Sequence, residues 1–404
     1  MTSNSVGIES ATPRTWIRPY YKSFNGIRGL AVLMVFFHHY GAFWHADRLQ
    51  SFTWAGVDVF FVLSGFLITG ILFDSIDRPL YFRDFYIRRA LRIFPLYYGL
   101  FLLVFLLTPI FHLRYTHRFF SFFFYLGNLV VPLSDGRGNP TVIAMARHGG
   151  QIAIGTIGHF WSLCVEEQFY LVWPTVVWLV RDRRRLMQLC VGTSVLTLIG
   201  RILLRPHVSQ TGLEHYLLHW STYTRCDTLL IGAWLALWLR GDQFTPRRIK
   251  LTAYALVWGS AAVFGFFLWH QPSLKTVDEV VGNAFISTYG FTLIALACAG
   301  LILFALDEKG VVSRFLQLRP LSALGLISYG FYFFHLLPYP SFELLGRHFP
   351  QLMVAIPWIA FVCSLAAAVL SFHFFESPFL RLKNRLAPGH RSIPSGAEAV
   401  GIDS

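Results

Sequence analysis

The sequence predicts an all-α, polytopic membrane protein with about ten transmembrane helices in a single integral domain, N-terminus and C-terminus both inside. Three observations carry this expectation. The 404 residues are 55% hydrophobic and 14% charged, against roughly 45–50% and 25% in an average soluble protein. Apolar runs long enough to cross a bilayer, about 20 residues each, recur from one end of the chain to the other. Lys and Arg collect in alternate connections between those runs, as the positive-inside rule requires of short loops. A β-barrel would need short alternating segments, which are absent. The aromatic content of 17%, with 40 Phe and 12 Trp, suits lipid-facing helices and interfacial belts.

Residues 1–22 read as a polar cytoplasmic segment, and the apolar run at about 25–45 is too long and too aromatic for a cleavable signal. It is therefore the first span. Further spans are expected at about 55–74, 93–112, 160–180, 186–204, 226–240, 251–270, 283–306, 321–344 and 352–375. With the N-terminus inside, the internal segments hold 24 of the 34 Lys and Arg, including 181-RDRRR-185. The net charge of +13 is then mostly topological and does not call for nucleic acid. The stretch 119-FFSFFFYLGNLVVPL-133 is short for a crossing, and making it one would place RDRRR outside. It is expected to re-enter or lie in the interface, with 134–158 as an external loop. The transmembrane domain spans 23–385, and 386–404 reads as a disordered cytoplasmic tail. Five single cysteines (Cys164, Cys190, Cys226, Cys298, Cys363) suggest small buried hydrophobes, with neither a disulfide framework nor a metal site.

Ionisable residues within these runs are costly and are functional candidates by default. In 28-RGLAVLMVFFHH-39, Arg28 and His39 are eleven residues apart, which is three helical turns plus about 20°. They share a face, separated by about 16 Å along the axis. His38 points about 100° away. Arg28 either lines a polar track or snorkels to the interface. Asp58, in 56-GVDVFFVLSGFLITG-70, sits at the depth of His39. It can orient that imidazole and favour its charged form, or satisfy free N–H groups at a helix start. In 88-RRALRIFP-95, Arg89 and Arg92 share a helix face with Arg88 flanking. They form either a solvated positive-inside cluster or a clamp for a phosphorylated ligand, which forked guanidinium groups suit. The stretch 159-HFWSLCVEEQFYLVWP-174 puts Trp161, Ser162, Glu166, Glu167 and Gln168 at the start of a span, where at least one carboxylate faces inward. A structural polar network is the other possibility. Arg225, Asp227, Ser328, Tyr329, His335 and Glu376 complete the set, each alone compatible with packing or pairing. Glu376 falls level with Arg89 and Arg92 and can neutralise one of them.

Taken in order, these motifs resemble the membrane-bound acyltransferase family 3, the OafA/YrhL-like O-acyltransferases, over roughly residues 20–385. The resemblance rests on Arg28 to His39 in the first helix, GVDVFFVLSGFLI at 56–68, RRALRIFP at 88–95, WSLCVEEQFY at 161–170, SYGFYFFH at 328–335 and ESP at 376–378. It implies a multi-pass protein of the inner (cytoplasmic) membrane. The implied activity is transfer of an acyl group, usually acetyl, from cytosolic acyl-CoA to a hydroxyl of an extracytoplasmic or lipid-linked glycan. By motif position it makes His39 the catalytic histidine, Arg28 its companion, and Arg89 and Arg92 donor-binding residues. Acyl-CoA is expected as a cosubstrate with no tightly bound cofactor, and membrane lipid and a glycan as partners. Some family members carry a C-terminal SGNH-type domain. None is expected here, so a second transfer step would fall to a separate protein.

On this basis His39, oriented by Asp58, removes the acceptor proton or carries the acyl group, with Glu166 and Glu167 in the catalytic core. Two other functions fit the same residues. One is acylation of a small lipophilic acceptor such as a macrolide. The other is a proton-coupled transporter or flippase in which His39, Asp58 and Glu166 form a relay.

Overall fold

The computed structural model describes residues 21–44, 52–115, 119–129, 141–145, 151–208, 214, 216–241, 245–270 and 283–387. The expected N-terminal segment and C-terminal tail lie almost wholly outside the described residues. The chain forms α1 (Lys22–Tyr40), α2 (Gly56–Asp74), α3 (Tyr81–Phe111), α4 (Phe119–Phe123), α5 (Trp161–Val180), α6 (Arg183–Val208), α7 (Thr222–Trp238), α8 (Pro246–His270) and α9 (Phe291–Leu306). Then come α10 (Val311–Leu316), α11 (Arg319–Leu326), α12 (Ser328–Phe334), α13 (Tyr339–His348), α14 (Ile356–Leu370) and α15 (Ser377–Leu386).

Seven stretches among the described residues are long and apolar enough to cross a membrane: Gly56–Asp74, Tyr81–Phe111, Gly158–Val180, Arg183–Val208, Pro246–His270, Ile286–Leu306 and Ile356–Leu386. Three expected spans differ from these for identifiable reasons. α1 carries Lys22, Asn25, Arg28 and two histidines, so its composition is polar for a span. α7 has 17 residues. The expected 321–344 helix is broken into α11, α12 and α13, with turns at Ile327 and after Phe334. The third span also starts earlier than its apolar stretch implies, because α3 is a 31-residue helix that includes the arginine motif. Its arginines are therefore held on a rigid helix.

The all-α class leaves out a small antiparallel sheet of order β1-β2-β3, made of Arg114–Tyr115, Thr141–Met145 and Gln151–Thr156. Part of the expected external loop is thus a hairpin, paired from Thr141↔Thr156 to Met145↔Gln151. Residues 134–140 and 146–150 of that loop lie outside the described residues. The Thr156 N–H donates to Leu337 O at 3.1 Å, so the sheet seats on the turn after α12. The aromatic stretch at 119–133 does not form a long helix. α4 has five residues, a rise of about 8 Å. It folds onto its neighbours through Tyr97 Oη donating to Phe122 O (2.5 Å) and Gln168 Nε2 donating to Tyr125 O (2.7 Å).

Helix association in a bilayer depends on close packing of small residues, since lipid tails are as apolar as Leu. α2 and α7 meet in this way. A Cβ on Gly65 would lie 1.9 Å from Leu229 O, and one on Gly232 would lie 2.0 Å from Val62 O. α1 and α11 are as close, since a Cβ on Gly325 would lie 1.8 Å from Asn25 O. These contacts fix α1 and α2, the two helices that carry the first motifs, against the rest of the bundle.

Candidate active site

α1 joins two polar regions. At its first, Arg28 is half-buried and lies within electrostatic reach of Arg89 and Arg92 from α3 and of Tyr170 and Glu166 from α5. The Arg89 guanidinium stacks on the Tyr170 ring, 3.9 Å from its centroid. Tyr170 Oη and Ser64 Oγ share a short hydrogen bond, and Glu166 lies beside both. Glu167 faces Arg89, with its buried Oε1 unpaired among the described residues. Arg92 is exposed and adjoins Glu376 and Tyr329. Tyr329 Oη donates to Ile93 O (3.0 Å), and Ser371 Oγ donates to Glu376 Oε1 (2.8 Å). Lys383 of α15 faces Arg88, Arg89 and Arg92. Several cations therefore converge against fewer carboxylates, an arrangement suited to a polyanion.

Arg88, expected beside Arg89 and Arg92 in donor binding, is occupied differently. Its Nη1 donates to Ala387 O at 2.8 Å, while Arg83 Nη2 donates to Leu386 O at 3.3 Å. Both hold the end of α15 against α3, because helix C-terminal carbonyls lack intrahelical donors.

At the other end of α1, His39 Nδ1 lies 2.8 Å from Val35 O and 3.3 Å from His335 Nε2. The His39 ring faces that of His335, and His38 is also within electrostatic reach of His335. His335 is fully buried, with Nδ1 2.6 Å from Tyr332 O. Its ring packs between those of His39 and His159, centroids 5.1 Å from each. His159 Nε2 is 3.2 Å from Phe333 O. Ser162 Oγ and Tyr332 Oη are 2.5 Å apart, and Tyr332 Oη donates to His159 O at 2.8 Å. Ser328 is buried where α12 begins. Among the described residues, no group of three or more His, Cys, Asp or Glu is arranged to hold a metal ion.

Asp58 does not orient His39. It accepts from Arg225 Nη2 at 2.6 Å, and both side chains are buried. The guanidinium also stacks 3.9 Å from the Phe291 centroid and 5.9 Å from that of Trp161. The reason is energetic: an arginine inside a bundle stays charged and needs a carboxylate, whereas a neutral imidazole is satisfied by a backbone carbonyl. Asp227, read beside Arg225, pairs instead with Arg201 through two bonds of 3.0 and 2.7 Å.

The family model of an acyltransferase domain, that of acyltransferase family 3, matches residues 21–373. The chain belongs to this family. The peptidoglycan O-acetyltransferase OatA of Listeria monocytogenes is 28% identical over 397 residues, covering 89% of this chain and 56% of the relative. The O-acetyltransferase OatA of Staphylococcus aureus is 27% identical over 370 residues, with coverages of 89% and 57%. The chain thus spans little more than half the length of these relatives. No solved structure matches it.

In this acyltransferase-family chain, the first helix, the arginine motif and the WSLCVEEQFY motif meet around Arg28, and the SYGFYFFH motif delivers His335 to His39. Residues that sequence reasoning passed over also belong here. Tyr170 lies one turn from Glu166, and that spacing was a usable signal. Arg201 stands alone in an apolar run, also a readable sign. Lys383 and His159 carry no sign of their partners in the sequence.

Proposed function

We propose that this chain is an O-acyltransferase of the cell envelope, moving an acyl group, most simply acetyl, from cytosolic acyl-CoA to a hydroxyl of a peptidoglycan-type or lipid-linked glycan at the inner membrane. One observation supports it above the rest. A single helix, α1, carries a cation cluster around Arg28 and a histidine, His39, eleven residues on, about 16 Å along the axis. The names of the relatives support acetyl transfer to a cell-wall glycan.

The chemistry follows from the two ends. Arg89 and Arg92, with Arg28 behind them, receive the phosphates of the donor, and the extended arm of the coenzyme covers the distance to His39. Because a carbonyl only accepts, the contact with Val35 O puts the proton of neutral His39 on Nδ1, leaving a lone pair on Nε2. That lone pair removes the proton of the acceptor hydroxyl as it attacks the thioester, or attacks the thioester itself to give an acyl-imidazole. Glu166 and Glu167 partly balance the arginines, so the site holds the donor without trapping it.

Purified protein in lipid nanodiscs, given radiolabelled acetyl-CoA and a lipid-linked or soluble muropeptide, should yield acetylated glycan and free CoA. His39→Ala should abolish this at equal protein abundance. Transfer by His39→Ala at the wild-type rate would remove the assignment. Labelling without acceptor, followed by denaturing electrophoresis, separates the two routes, because only the acyl-imidazole leaves label on the protein.

A further inference from the structure

Four helical histidines share one local contact. His39, His207, His270 and His348 each place Nδ1 2.8 to 3.0 Å from the carbonyl four residues earlier. The bond to Val35 O is therefore what a helix offers any histidine in this rotamer. What sets His39 apart is a tertiary partner, His335 Nε2, at 3.3 Å on the same Nδ1.

The protons in this group follow from the carbonyls. His335 Nδ1 faces Tyr332 O at 2.6 Å, so it carries the hydrogen and Nε2 is bare. That bare nitrogen is turned toward the Nδ1–H of His39. His159 fixes the far side of the His335 ring, with the two centroids 5.1 Å apart at 78° between planes. His159 is itself held through Nε2 to Phe333 O. His335 is fully buried, so its lone pair faces the histidine rather than solvent.

We propose that His335 is the positioning residue for His39: it holds the imidazole so that Nε2 faces the reacting groups, and it stabilises the imidazolium formed when Nε2 takes the acceptor proton. This rests on the role given to His39 under the proposed function. In the step itself, the acceptor O–H bond breaks and its proton bonds to His39 Nε2, while the oxygen forms the new bond to the acyl carbon. The carbon–sulfur bond of the thioester breaks, and the imidazolium gives its proton to the leaving thiolate, which departs as free CoA. The charge created on the ring sharpens the Nδ1–H donor, which is shared between Val35 O and His335 Nε2. The proton travels no further along the group, because the other nitrogen of His335 already donates to a carbonyl. His335 thus takes the part that sequence reasoning gave to Asp58, using a neutral acceptor where a carboxylate was expected.

Two substitutions separate this role from a merely structural one. In His335→Asn the amide occupies the Nδ1 position and keeps the bond to Tyr332 O, but it does not reach His39. In His335→Gln the amide oxygen reaches the Nε2 position and keeps an acceptor for His39. With nanodisc-reconstituted protein at equal abundance, kcat and KM for acetyl-CoA are measured for both. The expected result for His335→Asn is a kcat lowered about tenfold to a hundredfold, the size of loss seen for the partner that orients a metal-bound histidine, with KM for acetyl-CoA unchanged. His335→Gln should recover most of that loss. If Asn retains as much kcat as Gln, an acceptor that reaches His39 makes no difference and the proposal is overturned. His39→Ala runs alongside: inactivity there with full activity in His335→Asn defeats this inference alone, whereas activity in His39→Ala defeats the reading beneath it.

Discussion

Substituting Asp58 by Asn separates a catalytic from a structural role for the carboxylate at the start of α2. In the structure this carboxylate bonds Arg225 at 2.6 Å, with side-chain exposures of 0% and 1%. Asn keeps the shape and one acceptor but removes the charge, so Arg225 is left ionised in the bundle. For charge centres about 4 Å apart at an effective dielectric constant of about 20, the lost attraction is about 4 kcal/mol. This agrees with the roughly 3–5 kcal/mol seen when one partner of a buried pair is removed. The stack of Arg225 on Phe291, 3.9 Å from the centroid, is kept in the variant and so cancels in the difference. A loss of about 4 kcal/mol is large beside a total stability of about 5–15 kcal/mol. The assay is thermal unfolding in nanodiscs, paired with acetyl transfer per folded molecule at a temperature where both proteins are folded. Asp58→Asn should lower Tm by several degrees while kcat per folded molecule stays near wild type. Replacing both partners, Asp58→Leu with Arg225→Leu, should restore much of the stability, since no charge is then stranded. An Asp58→Asn protein of unchanged Tm with abolished transfer would refute the structural assignment and return Asp58 to the chemistry.

Other substitutions address the cation cluster and the helix packing. Arg89→Ala with Arg92→Ala should raise the apparent KM for acetyl-CoA by about a hundredfold or more, given about 1.5–3 kcal/mol for each hydrogen bond to a charged group; an unchanged KM removes their donor role. Arg88→Ala should leave that KM near wild type and instead expose the α15 end to limited proteolysis, because its bond is to Ala387 O. A KM shift as large as that of the double variant would place Arg88 in the donor site after all. Gly65→Val should abolish accumulation of folded protein, since a Cβ there would lie 1.9 Å from the backbone oxygen of Leu229; wild-type abundance and Tm would contradict the α2–α7 packing.

Much of this molecule could be read before any coordinates. Apolar runs of bilayer length and the grouping of Arg and Lys are local properties, and they located nearly every long helix. Helical periodicity is local as well, which is why Arg28 and His39 could be put on one face and His38 off it. The arginine motif announced its cluster because residues three apart on a helix necessarily neighbour one another. The hairpin at 141–156 escaped notice because two short strands beside many helices leave little periodic signal, and the break at Ile327 did so because apolar composition continues across it.

Which polar groups meet across the bundle was decided by the tertiary structure alone. Asp58 lies at a depth compatible with His39, yet its partner is Arg225, 167 positions away in sequence. Depth is one coordinate, and a contact requires the rotation and packing of two helices as well. Those are set by close approaches such as that of Gly65 and Gly232, and by the need of a buried guanidinium for a carboxylate, which outweighs that of an imidazole. His39 and His335, 296 residues apart, meet for the same reason. The sequence by itself determined that the chain lies in the membrane and which family it belongs to, while the packing of α1 against the broken helix α11–α12 determined what His39 touches.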